Sequence, residues 1–120
     1  MKIAITAQQD NMDGPVDPRF GRARWFIVYD TETDEFTASN NEQNLNAAQG
    51  AGIQAAQNVA RLGVGAVITG HVGPKAFTTL QAAKIKIFTG ASGTVKEAIG
   101  KFKAKKLQTT DKTDVEGHWM

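Results

Sequence analysis

Three arginines, Arg19, Arg22 and Arg24, fall within six positions of one another in the segment VDPRFGRARW. Guanidinium forks suit oxyanions and other multidentate acceptors. Phe20 and Trp25 stand among them, either as apolar walls of a site or as core residues, and Gly21 is offered to the same site. Asp13 and Asp17 are close enough in sequence to pair with these arginines, which would weaken a free anion site. Arg24 reads equally well as a surface charge at a strand end. Farther along lie two glycine-rich turns, TGHVGP at 69–74 and TGASG at 89–93. A strand that runs through such a turn into a helix points backbone N–H groups past the sheet, where they hold anions. The field at an exposed helix start favours negative charge by roughly 0.3–1 kcal/mol. The residues offered are Gly70, Val72, Gly73 and Pro74 in the first turn, and Thr89, Gly90, Ala91 and Ser92 in the second. Ser92 reads also as a helix cap. His71, inside the first turn, is a metal ligand, a hydrogen-bond donor or simply part of the turn. Met12 is either a soft metal ligand or a cover for apolar surface.

The same inventory argues against most catalysis. Neither turn has the GxxxxGK[ST] pattern or fits a dinucleotide fingerprint. No second histidine has metal-like spacing to His71, and no serine–histidine–acid set is visible. The chain has no cysteine, which excludes disulfides and thiolate-bound zinc or iron–sulfur centres. A formal net charge of +2 leaves no footprint for nucleic acid. The lysines at 101, 103, 105 and 106 suit a solvated helix end, with no stacking platform beside them. No apolar run approaches the roughly 20 residues that span a bilayer, and Met1 to Thr6 is too short for a signal peptide. The expectation is a cytoplasmic, monomeric binding protein, not an enzyme, with a single domain over 1–106 and a polar tail over 107–120.

These residues need a scaffold, and periodicity supplies one. Lys2 to Ala7 reads as a central strand. Trp25 to Asp30 and Glu35 to Ser39 read as a hairpin around a turn at 31–34. A helix is expected from about Ala48 to Leu62, with Ile53, Ala56, Val59, Ala60 and Leu62 inward and Gly63 as its stop. Gly50 and Gly52 weaken its start, as if something approaches the backbone there. Val64 to Thr69 is short, apolar and β-branched, so it reads as a strand covered on both faces. Pro74 opens the next helix, at the position where a missing N–H costs nothing. Ile85 to Phe88 is the last strand and 94–102 the last helix, with Val95, Ala98, Ile99 and Phe102 inward. Strands joined through helices run parallel. The result is an α/β domain of three layers around a mixed five-stranded sheet. Its loops at 8–24, 70–74 and 89–93 should meet beyond the strand ends.

The pieces MKIAITAQ, VDPRFGRARWFIVYD, QGAGIQAAQNVARLGVGAVITGHVGPKAF and IKIFTGASGTVKEAI, in this order, resemble the family that contains NifX, the C-terminal domain of NifB and the small orange proteins. The resemblance covers most of 1–100. It implies an RNase-H-like fold and a non-enzymatic protein that binds, carries or assembles a metal–sulfur cluster. For the orange-protein branch that cluster is a molybdenum–copper sulfide held without covalent attachment. For the NifX type it is the nitrogenase iron–molybdenum cofactor or a precursor. Cluster donor or acceptor proteins are the implied partners. NifX-like members commonly carry histidine directly before the phenylalanine of the VDxxFG segment. Here that position is Arg19, which points to the orange-protein branch and to charge pairing with an anionic cluster. A regulatory or scaffold role, or binding of a phosphorylated metabolite at the glycine turns, is the alternative.

Overall fold

The computed structural model describes residues 1–41, 51–107 and 109. The strands are β1 (Lys2–Ala7), β2 (Trp25–Asp30), β3 (Phe36–Asn40), β4 (Ala66–Ile68) and β5 (Lys86–Phe88). The helices are α1 (Ala51–Arg61), α2 (Pro74–Ala82) and α3 (Val95–Lys103). The sheet order is β3-β2-β1-β4-β5. β1 pairs with β2 antiparallel and with β4 parallel, and β4 pairs with β5 parallel. β1 is therefore central, which explains why its apolar residues point to both faces: both are covered. Ile3, Ile5 and Ala7 enter one core, while Ala4 enters the other. α1 and α2 pack on one side of the sheet through Ala55, Ala56, Val59, Ala76, Phe77 and Leu80. α3 packs on the other through Val95, Ala98 and Ile99. This is the three-layer, RNase-H-like arrangement expected from the sequence.

Local signals set the boundaries. Gly63 follows α1 at φ +74°, a conformation that side chains disfavour, and so ends the helix. Pro74 occupies the first turn of α2. Two details of α1 differ from the sequence reading. Ala60 is exposed and Ile53 is only half-buried, while Ala51 and Ala55 are buried. The sheet takes the alanine stripe because small side chains let the helix come close, and Ile53 is turned aside. The expected start at Ala48, and Gly50, lie outside the described residues. At the other end, Leu107 packs against the α3-side core and Thr109 bridges antiparallel to Phe88. The sequence reading had put both in the tail; β5 is an edge strand with groups left to pair, and Leu107 is apolar. His118 and Trp119 lie outside the described residues.

Candidate functional site

The three loops do meet, and backbone hydrogen bonds join them. The first two form a short parallel bridge at Arg19 and His71: His71 N–H donates to Pro18 O at 2.9 Å and Phe20 N–H donates to His71 O at 3.3 Å. The second and third are tied by Gly90 N–H to Gly70 O at 2.8 Å and Ala91 N–H to Thr69 O at 3.1 Å. The first and third are tied by Val16 N–H to Gly93 O at 2.9 Å. These bonds consume several donors that the sequence offered to a ligand, including those of His71, Gly90 and Ala91. Gly70 has a steric reason: a Cβ there would lie 2.5 Å from Pro18 Cα.

Beside the bridge is a cleft of about 480 Å³, within the usual range for small-ligand sites. Arg19, Phe20, Gly21 and Arg22 form one wall; His71, Gly73, Pro74, Lys75 and Ala76 form another; Ala51, Gly52 and Ile53 at the start of α1 complete it. Gly21 is packed so tightly on α1 that a Cβ would lie 2.8 Å from the Gly52 backbone. A Cβ on Gly52 itself would lie 3.2 Å from Ala76 Cβ, so the glycine at the weak start of α1 lets α2 come close. Phe20 is both wall and core, 2% exposed, its ring tilted against Phe26 at 5.6 Å. Such a pair adds roughly 0.5–1.5 kcal/mol beyond burial. Arg19 is turned by the buried carboxylate of Asp17, which accepts its backbone N–H at 2.9 Å and meets its Nε at 3.4 Å. The cleft-lining residues include three cations, Arg19, Arg22 and Lys75, and no carboxylate.

α2 begins in this cleft. Gly73 is its N-cap, and no side chain caps the helix. The first helical bond is Phe77 N–H to Gly73 O, so the N–H groups of Lys75 and Ala76 precede it. Gly73 has an ordinary extended conformation, and a Cβ there would meet nothing within 4 Å. Neither backbone nor packing requires glycine at that position. What its missing side chain does is leave the helix end open toward the cleft.

The second glycine turn is different. Gly90 and Gly93 have φ near +80°, so glycine is there for the backbone. Thr94, not Ser92, caps α3, in a reciprocal capping box with Glu97. Carbonyls of the first loop take the next donors: Val95 N–H binds Gly14 O at 3.0 Å and Lys96 N–H binds Met12 O at 2.9 Å. Met12 itself packs against the α3-side core. Met12, Thr89, Gly90, Ala91 and Ser92 therefore do not line the cleft, and Val72 is buried in the core beneath it. Arg24 and Trp25 line a separate polar depression with Gln8 and Asp10. Of the residues expected from sequence, the cleft gathers Arg19, Phe20, Gly21, Arg22, His71, Gly73 and Pro74, while Gly70 holds the bridge beside it. Ala51, Gly52, Ile53, Lys75 and Ala76 were missed. The glycine at the start of α1 was their one sequence signal. No group of three histidine, acidic or cysteine side chains able to hold a metal ion occurs among the described residues.

A family profile described as dinitrogenase iron-molybdenum cofactor matches residues 1–105. The chain belongs to that family. As a member of the dinitrogenase iron-molybdenum cofactor family, it is similar to the apo form of the orange protein from Desulfovibrio gigas. The two share 42% identity over 94% of this chain and 95% of that one, with a TM-score of 0.92. A Thermotoga protein solved by NMR as a candidate NifB protein is 35% identical over 90% of this chain and 91% of that one, with a TM-score of 0.79. An uncharacterised protein of Methanocaldococcus jannaschii is 28% identical over 90% of both chains. No helix among the described residues is long and apolar enough to cross a membrane.

Proposed function

We propose that this protein binds, carries or assembles an anionic, molybdenum-containing metal–sulfur cluster, a molybdenum–copper sulfide, in the cleft between Arg19–Arg22 and the start of α2. The observation that carries this reading is the uncapped helix end behind Gly73, in a cleft with three cations and no carboxylate. The donor set fits such a guest. A sulfide cluster brings its own sulfur, so a chain without cysteine loses nothing. Its charge is met by Arg19, Arg22, Lys75 and the α2 N–H groups, and its weakly hydrated sulfides by Phe20, Ile53 and Pro74. Excluding water strengthens each charge contact: a pair 4 Å apart gains about 1 kcal/mol in bulk water and several times that near a protein surface. Binding that rests on charge and shape more than on coordinate bonds is reversible and non-catalytic, which suits transfer between a donor and an acceptor protein.

The family profile favours a second guest, iron–molybdenum cofactor or its precursor. Elemental analysis of protein purified without oxygen separates the two: molybdenum with copper, or molybdenum with iron. The site assignment is tested by titrating tetrathiomolybdate, alone and with copper(I), into the guest-free protein. Replacing both Arg19 and Arg22 by alanine should weaken uptake at least tenfold, about 1.4 kcal/mol. We assign His71, exposed beside Arg19, as the ligand to the metal; His71→Ala should then shift the absorption bands of the bound cluster. Unchanged uptake in the double arginine variant would falsify the site, and unchanged bands in His71→Ala would remove the histidine from it.

A further inference from the structure

Four polar side chains are buried among the described residues: Thr6, Asp17, Asn41 and Thr69. A buried polar group is costly unless paired, so where the partners lie is informative. All four bear on one segment. Thr6 grips Asp17 from both sides: its hydroxyl donates to Asp17 O at 2.7 Å, and its carbonyl accepts Asp17 N–H at 2.9 Å. Thr69 shares a 2.8 Å bond with the Thr6 hydroxyl and so ties the start of the second loop to the part of β1 that grips Asp17. The Asp17 carboxylate then reaches forward to the backbone and side chain of Arg19. At the far end, Asn41 Nδ2 donates to Ala23 O at 2.7 Å, and Asn41 N–H donates to Arg24 O at 2.8 Å. The arginine segment is thus clamped at both ends by buried groups, while the Arg19 side chain between them is 59% exposed.

We propose that Asp17 and Asn41 are positioning residues, and that the segment from Asp17 to Arg24 is a pre-organised anion receptor. This rests on the cleft being the guest site. The Asp17 carboxylate holds the Nε edge of Arg19 and leaves the two terminal nitrogens for the guest. A free arginine would lose rotamer freedom on binding; one already held loses less. A buried carboxylate beside an anion site is repulsive unless its charge is spent on a cation. Its contact with Arg19 offsets part of that cation's charge, so what Asp17 contributes to the receptor is the orientation of Arg19 and not added positive charge.

Asp17→Asn is the informative change. The amide oxygen can still accept Arg19 N–H, so the loop keeps its turn, but the charge that holds the guanidinium is gone. Two readouts are used. In the guest-free protein, the Arg19 Nε–H NMR resonance should be protected from solvent exchange in the wild type and lost in Asp17→Asn. In tetrathiomolybdate titrations, Asp17→Asn should bind about tenfold more weakly, as outer partners of binding groups commonly do. Adding Arg19→Ala to it should cost much less than Arg19→Ala costs alone. Asn41→Ala, compared at matched folded fraction, should weaken binding without moving the Arg19 resonance. Additive effects of the Asp17 and Arg19 changes, or an Arg19 resonance that exchanges freely in the wild type, overturn the proposal whatever the guest. A protected resonance in a wild type that takes up no thioanion overturns the guest reading, and the receptor role with it.

Discussion

The units β4–α2 and β5–α3 are written in nearly the same sequence grammar and end in opposite states. Each is a short strand, a glycine turn and an amphipathic helix. At α3 every early donor is spoken for. Glu97 N–H binds Thr94 Oγ1 at 3.1 Å, Thr94 N–H binds Glu97 Oε1 at 2.9 Å, and Gly14 and Met12 supply carbonyls to the next two. At α2 the cap position is a bare glycine and a cleft lies in front of it. The first helix start is a joint that holds the long first loop against the body. The second is a socket. A helix N-terminus is an anion site only where nothing in the protein has already answered its donors.

The sharpest way to break this comparison is to close the socket. Gly73→Asp adds a good cap and a negative charge in open space. Thermal stability should hold or rise slightly, while tetrathiomolybdate uptake falls by well over tenfold. Retained uptake with a stabilised helix would mean that α2 does not face the guest. Opening the joint should do the reverse. Thr94→Ala removes the α3 cap, which costs about 0.5–2 kcal/mol and lowers the melting temperature by several degrees. Uptake, measured on the folded protein, should be unchanged, and a parallel loss of uptake would make α3 part of the site.

The smallest effect is electrostatic and belongs to the two ends of α3. Hydrogen bonds from the Thr94 backbone and then its side chain hold the Glu97 carboxyl below its ordinary range. Lys103, followed by the Tyr29 hydroxyl, does the same for Asp34. A lowered carboxyl contributes stability that is complete above its unfolded value and is lost as pH falls through its folded value. Glu97→Gln keeps the capping bonds without the charge. Its small deficit at neutral pH should disappear in acid, as wild type and variant converge. A deficit that persisted at low pH would place the contribution of Glu97 in packing and not in charge.

Much of this molecule was legible in the chain. The β-branched runs, Gly63 after α1 and Pro74 at α2 specify elements through local sterics and periodicity, which short stretches carry by themselves. The Thr94-x-x-Glu97 capping box has an equally local signature, and it, not the expected Ser92, caps α3. The cleft was half legible. Arg19, Phe20, Arg22 and His71 stood out by chemical type. Lys75 carries no local signal, and Ile53 reads as a core position, because its exposure depends on which stripe of α1 the sheet accepts.

The sequence alone, then, determined the order of strands and helices, the central place of β1 and the absence of thiolate chemistry, since these follow from pattern and composition. It could not determine which of two matching glycine turns leaves its helix start open to a cleft. That rests on contacts far apart in the chain. Met12 and Gly14 close the start of α3, while Pro18 and Gly21 bring Arg19 and Arg22 beside the open start of α2. A backbone donor has the same local sequence whether it is answered or free, and only the folded chain decides which.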